Sequence, residues 1–376
     1  MDLLAPRSRR ACVRASHARI PAALIVVSAL VAWGCADGSD GGPKETNAAP
    51  LVVRAIEKPG HRSSVYSEGL FEVDPRSGES SRVPAEDFSG GDAQFPFSYA
   101  EDTVVYRCSR GACSLNLDDE ARAPQTIGDA WCMAPSTTPG RIWLASLDPD
   151  SPATERAIRS AREVTFDGET TTARSILPKR RWHCPVGAYE GGLLFQEVGS
   201  RGDGKLIAWD AERSQIAATI SPDVFPAGAH GSLVASYAGP WGEWEDLRLT
   251  DVETGEERLV SAPAPWRFEA SYEGAFSPDG ALLAATVTTG KRQRKDRSHG
   301  VALVDVADGS VEIVYGLQAR SLAFSPDGST LYALTPPDPT PHGPLFRITA
   351  YEIERDHVFE TRVPGLKLMH LSAGAR

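Results

Sequence analysis

The chain has 376 residues, 41% of them hydrophobic and 24% charged, a balance that suits a packed globular protein and excludes a disordered one. Its net charge is −11, and a surface that acidic repels phosphate backbones, so nucleic acid is not an expected partner. Abundant turn formers, 34 Gly and 28 Pro against 3 Met, point to many short strands rather than long helices.

Residues 1–34 read as an export signal and stand outside the fold argument. Arg7, Arg9, Arg10, Arg14 and Arg19 form a positive leader, and Ile20 to Trp33 is an apolar run of about 14 residues, short of the roughly 18 a spanning helix needs. Without its five arginines and one aspartate, 39 basic and 50 acidic residues become 34 and 49, a net charge of −15. The run ends in Val31-Ala32-Trp33-Gly34-Cys35, which resembles the bacterial lipobox and implies acylation of Cys35, although Ala32 stands where that pattern prefers Leu and Trp33 where it prefers a small residue. The alternative is an ordinary signal cleaved between Ala32 and Ala36, with Cys35 incidental. Residues 35–50, rich in Gly, Ala, Asp and Pro, have almost nothing to bury and read as a flexible tether spanning roughly 20 Å. The remaining domain runs over 51–376.

Within it, two sequence signatures alternate. The clearer one is Ala275-Phe276-Ser277-Pro278-Asp279-Gly280 and its copy Ala323-Phe324-Ser325-Pro326-Asp327-Gly328. A strand ends at Phe, Ser-Pro-Asp-Gly makes a tight turn whose Gly takes a positive φ, and an alternating strand follows. Weaker copies begin at Phe97, Met133, Cys184 and Ala227, at steps of 36, 51, 43, 49 and 48 residues up to Phe324, the chain length of a four-stranded blade. The second signature is a strand followed by an Asp-led turn: Leu70 to Gly78, Ile207 to Asp210, Leu249 to Gly255 and Leu303 to Gly309. These are the outer hairpins of blades, with Asp capping the turn and Gly supplying the left-handed residue. Residues Leu51–Val83 have an outer part but no inner strand, and 365–374 look like a degraded inner strand whose Leu371 lies 47 residues on from Phe324. The expectation is an all-β, seven-bladed β-propeller in which the last strand completes the first blade and removes the free edges.

The Phe-Ser-Pro-Asp-Gly units resemble the WD-repeat-like modules of the TolB periplasmic propeller family and of propellers attached to prolyl-oligopeptidase-type peptidases. The resemblance covers about 51–376 and implies the fold, while the small α/β domain of the first relative and the peptidase domain of the second have no counterpart in the sequence.

Four cysteines remain beyond Cys12 and Cys35. Cys108 and Cys113 flank a hairpin tip, so they are expected to face each other at disulfide distance in an exported protein. Cys132 and Cys184 fall on the expected inner strands of neighbouring blades, either as a bridge between blades or as two buried thiols. No Cys-x-x-Cys and no sequence cluster of histidines suggests a metal, and no cofactor is expected. Nucleophile elbow, His-Glu-x-x-His, phosphate loop and dinucleotide motifs are missing. His183, His230 and His370 lie at or near equivalent inner-strand positions, either converging at the channel mouth or simply filling a wet funnel. Three further features each have a bland reading: the basic stretch Gly290 to Arg297, a docking site for an anionic partner or a solvated hairpin tip; Arg201-Gly202-Asp203, an adhesion-like tripeptide or a Gly-rich turn; and Trp241 with Trp244, a ligand-binding pair or packing between blades. The leading functional expectation is a lipid-anchored, non-catalytic module that binds a protein or peptide of the bacterial envelope, placed at the outer membrane. The alternative is a propeller-type enzyme, a lactonase or lyase, with its residues at the channel mouth; a weaker one is a carbohydrate-binding surface protein.

Overall fold

The computed structural model describes residues 50–373 apart from 58–66, 87, 89–96, 101, 119–122, 148–157, 173–174, 178–183, 199–203, 221–224, 239–245, 270–273, 290–297, 318, 339–344 and 365. The export signal, Cys35 and nearly all of the tether lie outside the described residues.

Two turn chemistries repeat along the chain and organise it. In Ser277-Pro278-Asp279-Gly280, the Ser277 hydroxyl donates to Asp279 at 2.6 Å and accepts the Leu282 N–H at 2.9 Å, while Asp279 also accepts the Ala281 N–H at 3.0 Å. The Ser325 turn repeats this network with the same 2.6, 2.9 and 3.0 Å bonds to Asp327, Thr330 and Ser329. At the second kind of turn a leading Asp accepts two consecutive backbone N–H groups: Asp74 from Arg76 and Ser77, Asp251 from Glu253 and Thr254, Asp305 from Ala307 and Asp308. Gly78, Gly255 and Gly309 follow at φ of 75°, 74° and 78°, a region closed to most side chains.

Between these turns the strands form seven antiparallel sheets. The second sheet joins Phe97–Ala100, Thr103–Cys108, Gly111–Asn116 and Gln125–Gly128; the third joins Cys132–Pro135, Arg141–Leu147, Ile158–Thr165 and Ser175–Ile176. The fourth starts at Gly187–Tyr189, the fifth at Pro226–His230 and the seventh at Leu322–Phe324, each followed by three more strands in chain order. In the sixth, the inner edge is split: Trp266–Phe268 and Ala275–Phe276 both pair with Leu282–Thr289. Only the first sheet breaks chain order. Its strands Leu51–Glu57, Ser67–Val73 and Ser80–Arg82 receive their innermost neighbour from Leu366–Ala373. Leu51 pairs with Ala373 and Arg54 with His370; a one-residue irregularity then places Ala55 opposite Leu368. The seven innermost strands touch one another in cyclic order, and Leu366–Ala373 contacts both the seventh and the second. The protein is therefore a seven-bladed β-propeller closed by its C-terminal strand.

The core follows from strand periodicity. Neighbouring side chains point to opposite faces of a blade, so each strand feeds two separate clusters. Leu51, Val53 and Ala55 pack with Tyr332, Leu334 and Ile348 of the seventh blade, whereas Val52 packs with Phe97 and Val104 of the second. Val105, between Val104 and Tyr106, instead joins Met133 and Ile142 of the third blade. Among the described residues there are seven such clusters, one at each interface between blades. At the periphery, the Thr361 hydroxyl of the seventh blade donates to the Pro75 carbonyl in the first blade's turn, and Arg258 of the fifth donates to the Val306 and Ala307 carbonyls in the sixth blade's turn.

Both disulfides form, and their geometry refines the expectation. Cys108 pairs in register with Gly111 and Cys113 with Tyr106, so the Cys108–Cys113 bridge runs diagonally across the hairpin, at a Cα separation of 5.9 Å. Cys132 starts the third blade's inner strand, but Cys184 precedes the fourth blade's inner strand instead of lying in it; the bridge, with Cα atoms 5.6 Å apart, ties the approach to one blade onto the centre of its neighbour.

The Asp-led turns carry a pH signature. The Thr254 N–H, then the Ser232 hydroxyl and the Glu253 N–H, hold the Asp251 carboxyl below its ordinary 3.8 against a smaller opposing effect of burial. A carboxyl depressed in the folded state adds stability above its unfolded pKa and loses it as pH falls through the folded value. Asp251→Ala is accordingly expected to lower Tm by about 1–3 °C at pH 7, with the difference from the parent protein shrinking as the solution is acidified through the carboxyl's folded-state range; calorimetry at neutral and at strongly acidic pH checks it.

Candidate functional site

The ring of inner strands encloses a cavity of about 360 Å³, joined through shared lining at Pro135 to Thr137 and Gly274 to Phe276 to a second of about 210 Å³. It opens at the end of the channel where the first-to-second strand turns lie: its lining includes Ser136 to Arg141 of the third blade, His230 of the fifth, Ser277 and Pro278 of the sixth and Pro326 of the seventh. Ser372 of the closing strand lines it too. The wall is built from small residues, the partly exposed Phe276 and the Thr137 and Thr138 hydroxyls, while the rings of Phe97, Tyr99 and Phe324 are buried in the cores between blades.

Apart from the Tyr99 phenol, the titratable side chains in the described lining are Arg141 and His230. Arg141 opens the strand Arg141–Leu147, immediately after the left-handed Gly140 at φ 71°. Its guanidinium donates to Glu163 Oε2 at 3.3 Å. Glu163, on the adjacent strand Ile158–Thr165, is only 7% exposed and does not line the cavity. Its carboxylate also accepts the Ser136 hydroxyl at 2.5 Å and the Thr171 hydroxyl at 2.7 Å, and its own N–H donates to Thr172 Oγ1 at 2.9 Å. A buried carboxylate is retained at such a site only when its partners replace the lost water, and three donors do so here. The guanidinium is thus held from behind while the Arg141 side chain, 41% exposed, faces the cavity.

His230 ends the inner strand Pro226–His230 and packs on the sixth blade's turn, with its ring centroid 6.1 Å from that of Phe276. The contact depends on Gly280: a methyl group there would lie 2.2 Å from His230 Cδ2. Behind it, the Asp279 carboxyl is held low first by the Ser277 hydroxyl, then by the Ala281 N–H, with a smaller attraction from His230. Among the described residues, no group of three or more His, Cys, Asp or Glu side chains gathers in a metal-binding arrangement.

Of the three histidines singled out in the sequence, His230 lines the cavity, His370 takes a register position opposite Arg54 on the closing strand, and His183 lies outside the described residues. The basic stretch 290–297, Arg201 to Asp203, and Trp241 with Trp244 also lie outside the described residues. Of the repeat residues, Phe276, Ser277, Pro278, Phe324 and Pro326 line the cavity, while Asp279, Gly280, Ser325, Asp327 and Gly328 shape the turns beside it. Sequence reasoning missed the Arg141–Glu163 pair. One signal was available: Arg141 directly follows its turn glycine, where the two clear repeats place Ala281 and Ser329.

No family model and no curated protein matches the chain. Solved structures do. Oligogalacturonate lyase from Vibrio parahaemolyticus shares 11% identity over 83% of this chain and 86% of its own, with a TM-score of 0.51. TolB from Acinetobacter baumannii shares 14% identity over 86% of this chain and 82% of its own, at a TM-score of 0.47. Apo AztD from Citrobacter koseri shares 12% identity over 88% of this chain and 100% of its own, at 0.41. At 11% identity the likeness to the lyase bears on the propeller fold alone.

Gly280→Ala is expected to displace the His230 ring and shift its imidazole NMR resonances. Gly255→Ala, at an equally left-handed φ of 74° but with nothing within 4 Å of the added methyl, is expected to leave them in place.

Proposed function

We propose that the protein is a non-catalytic binding module of the bacterial envelope, tethered by an acylated Cys35 and receiving its ligand, a segment of an envelope protein or peptide, at the mouth of the central channel. The observation that carries this reading is the character of the cavity. Its size lies in the ordinary range for ligand sites, and its described wall offers apolar surface at Phe276, Ala323 and Pro326, hydroxyls, one fixed guanidinium and one imidazole, with no carboxylate to serve as a partner for acid–base chemistry. Two disulfides favour an oxidising compartment, in keeping with an export signal ahead of the domain.

Chain geometry supports the placement. Leu51 pairs with Ala373, next to Ser372 in the cavity wall, so the tether joins the domain beside the channel mouth. With a tether spanning roughly 20 Å, an acyl group at Cys35 keeps the domain within reach of the membrane. Ala36 rather than Asp after the acylated Cys favours the outer membrane.

Photo-crosslinking in intact cells tests both parts. A photoreactive residue at Thr138, on the cavity rim, is expected to give a discrete adduct, while one at Leu259, exposed on an outer strand, gives none. The same protein with Cys35→Ser is expected to leave the membrane fraction and to lose the adduct. No adduct at Thr138, or turnover of a substrate by the purified domain, contradicts the reading.

A further inference from the structure

Among the described residues, charge is sorted by sign around the channel mouth. On a chain whose exported part carries a net charge of −15 once the five arginines and one aspartate of residues 1–34 are removed, the two groups able to carry positive charge, Arg141 and His230, line the cavity. Glu163, which pairs with Arg141, and Asp279, beside His230, are absent from its described wall. Glu163 is spent on three donors, namely Arg141, Ser136 and Thr171, and is buried, so it fixes the guanidinium without presenting an anion to the cavity.

From this arrangement we infer that the channel mouth selects a ligand bearing a carboxylate on an apolar body. The inference deepens the binding-module reading and rests on it. The carboxylate meets Arg141, whose planar fork suits a two-oxygen anion, with the hydroxyls of Thr137 and Thr138 on the same stretch of wall. The apolar body lies against the partly exposed Phe276, Ala323 and Pro326. The sorting also explains why a fixed Arg is needed here: the acidic body repels anions at long range, so recognition has to come from a short-range donor whose position is set in advance. Two sources share this chemistry, a free organic acid and the C-terminus of a peptide.

Ligand-observed NMR and calorimetry on the purified domain separate the possibilities. The probes are 3-phenylpropionate and 3-phenylpropionamide, and the tripeptide Ala-Ala-Phe as its free acid and as its C-terminal amide. The acids are expected to bind at least about tenfold more tightly than their amides, equivalent to ~1.4 kcal/mol, and stronger binding of the tripeptide acid identifies a peptide terminus as the source. In Arg141→Gln the acid-to-amide ratio is expected to fall to about one; Arg141→Lys, which keeps the charge, retains a reduced preference and covers the case in which the Gln variant fails to fold. Ala323→Trp, which adds bulk at a lining position that also packs on the core between the first and seventh blades, is expected to abolish binding of all four probes with the circular dichroism of the folded domain kept, and Thr138→Trp on the exposed rim, expected to weaken all four, covers the case in which it fails to fold. Equal binding of acids and amides that is lost in Ala323→Trp overturns the carboxylate inference while leaving the channel mouth as a binding site. An acid preference that survives in Arg141→Gln also overturns the inference. Binding that survives Ala323→Trp, or no binding of any probe, overturns the inference together with the channel-mouth reading.

Discussion

Pairing of Leu51–Glu57 with Leu366–Ala373 is the constraint on which the other six blades depend. An open array of seven sheets leaves an apolar face uncovered at each end and two unpaired inner edges, both standing hazards for aggregation. Closure removes them together. Leu366, Leu368 and Leu371 enter the cluster shared by the first and seventh blades, and the closing strand reaches the inner strand of the second blade as well. The hydrogen bond from Thr361 to Pro75 reinforces the same joint at the rim.

The ring also dictates how finely the sequence must be patterned. Every blade is buried on both faces, so odd and even residues of one strand serve different interfaces, as Val52 does against Leu51 and Val53. A slip of one residue in register exchanges the two sets and spoils two interfaces at once. The repeated Asp-led and Ser-Pro-Asp-Gly turns set that register with side-chain-to-backbone bonds at the strand ends, independently of the core.

This division explains what was legible in the sequence. Turn chemistry is local, so Phe276 to Gly280 and Phe324 to Gly328 disclosed the repeat, its spacing disclosed seven blades, and the missing inner strand before Leu51 disclosed the closing role of the C-terminus. Contacts between blades are not local. The diagonal course of Cys108–Cys113 depends on which residues pair across the hairpin, and the hold of Glu163 on Arg141 depends on adjacent strands joined through a long connection. His230 was found for its position near an inner strand, yet its packing on Gly280 involves the next blade and leaves no trace in the residues around it.

The channel mouth inherits its properties from the closure, since Ser372 and Leu371 of the last strand form part of its wall beside residues of the second, third, fifth, sixth and seventh blades. Native-state hydrogen exchange followed by mass spectrometry tests this dependence most directly. Backbone amides of 366–373 are predicted to exchange only with global unfolding, and a chain ending at residue 364 is predicted to lose protection in all seven blades. Fast exchange of 366–373 while the inner strands of the other blades stay protected would contradict closure as the source of the fold's stability.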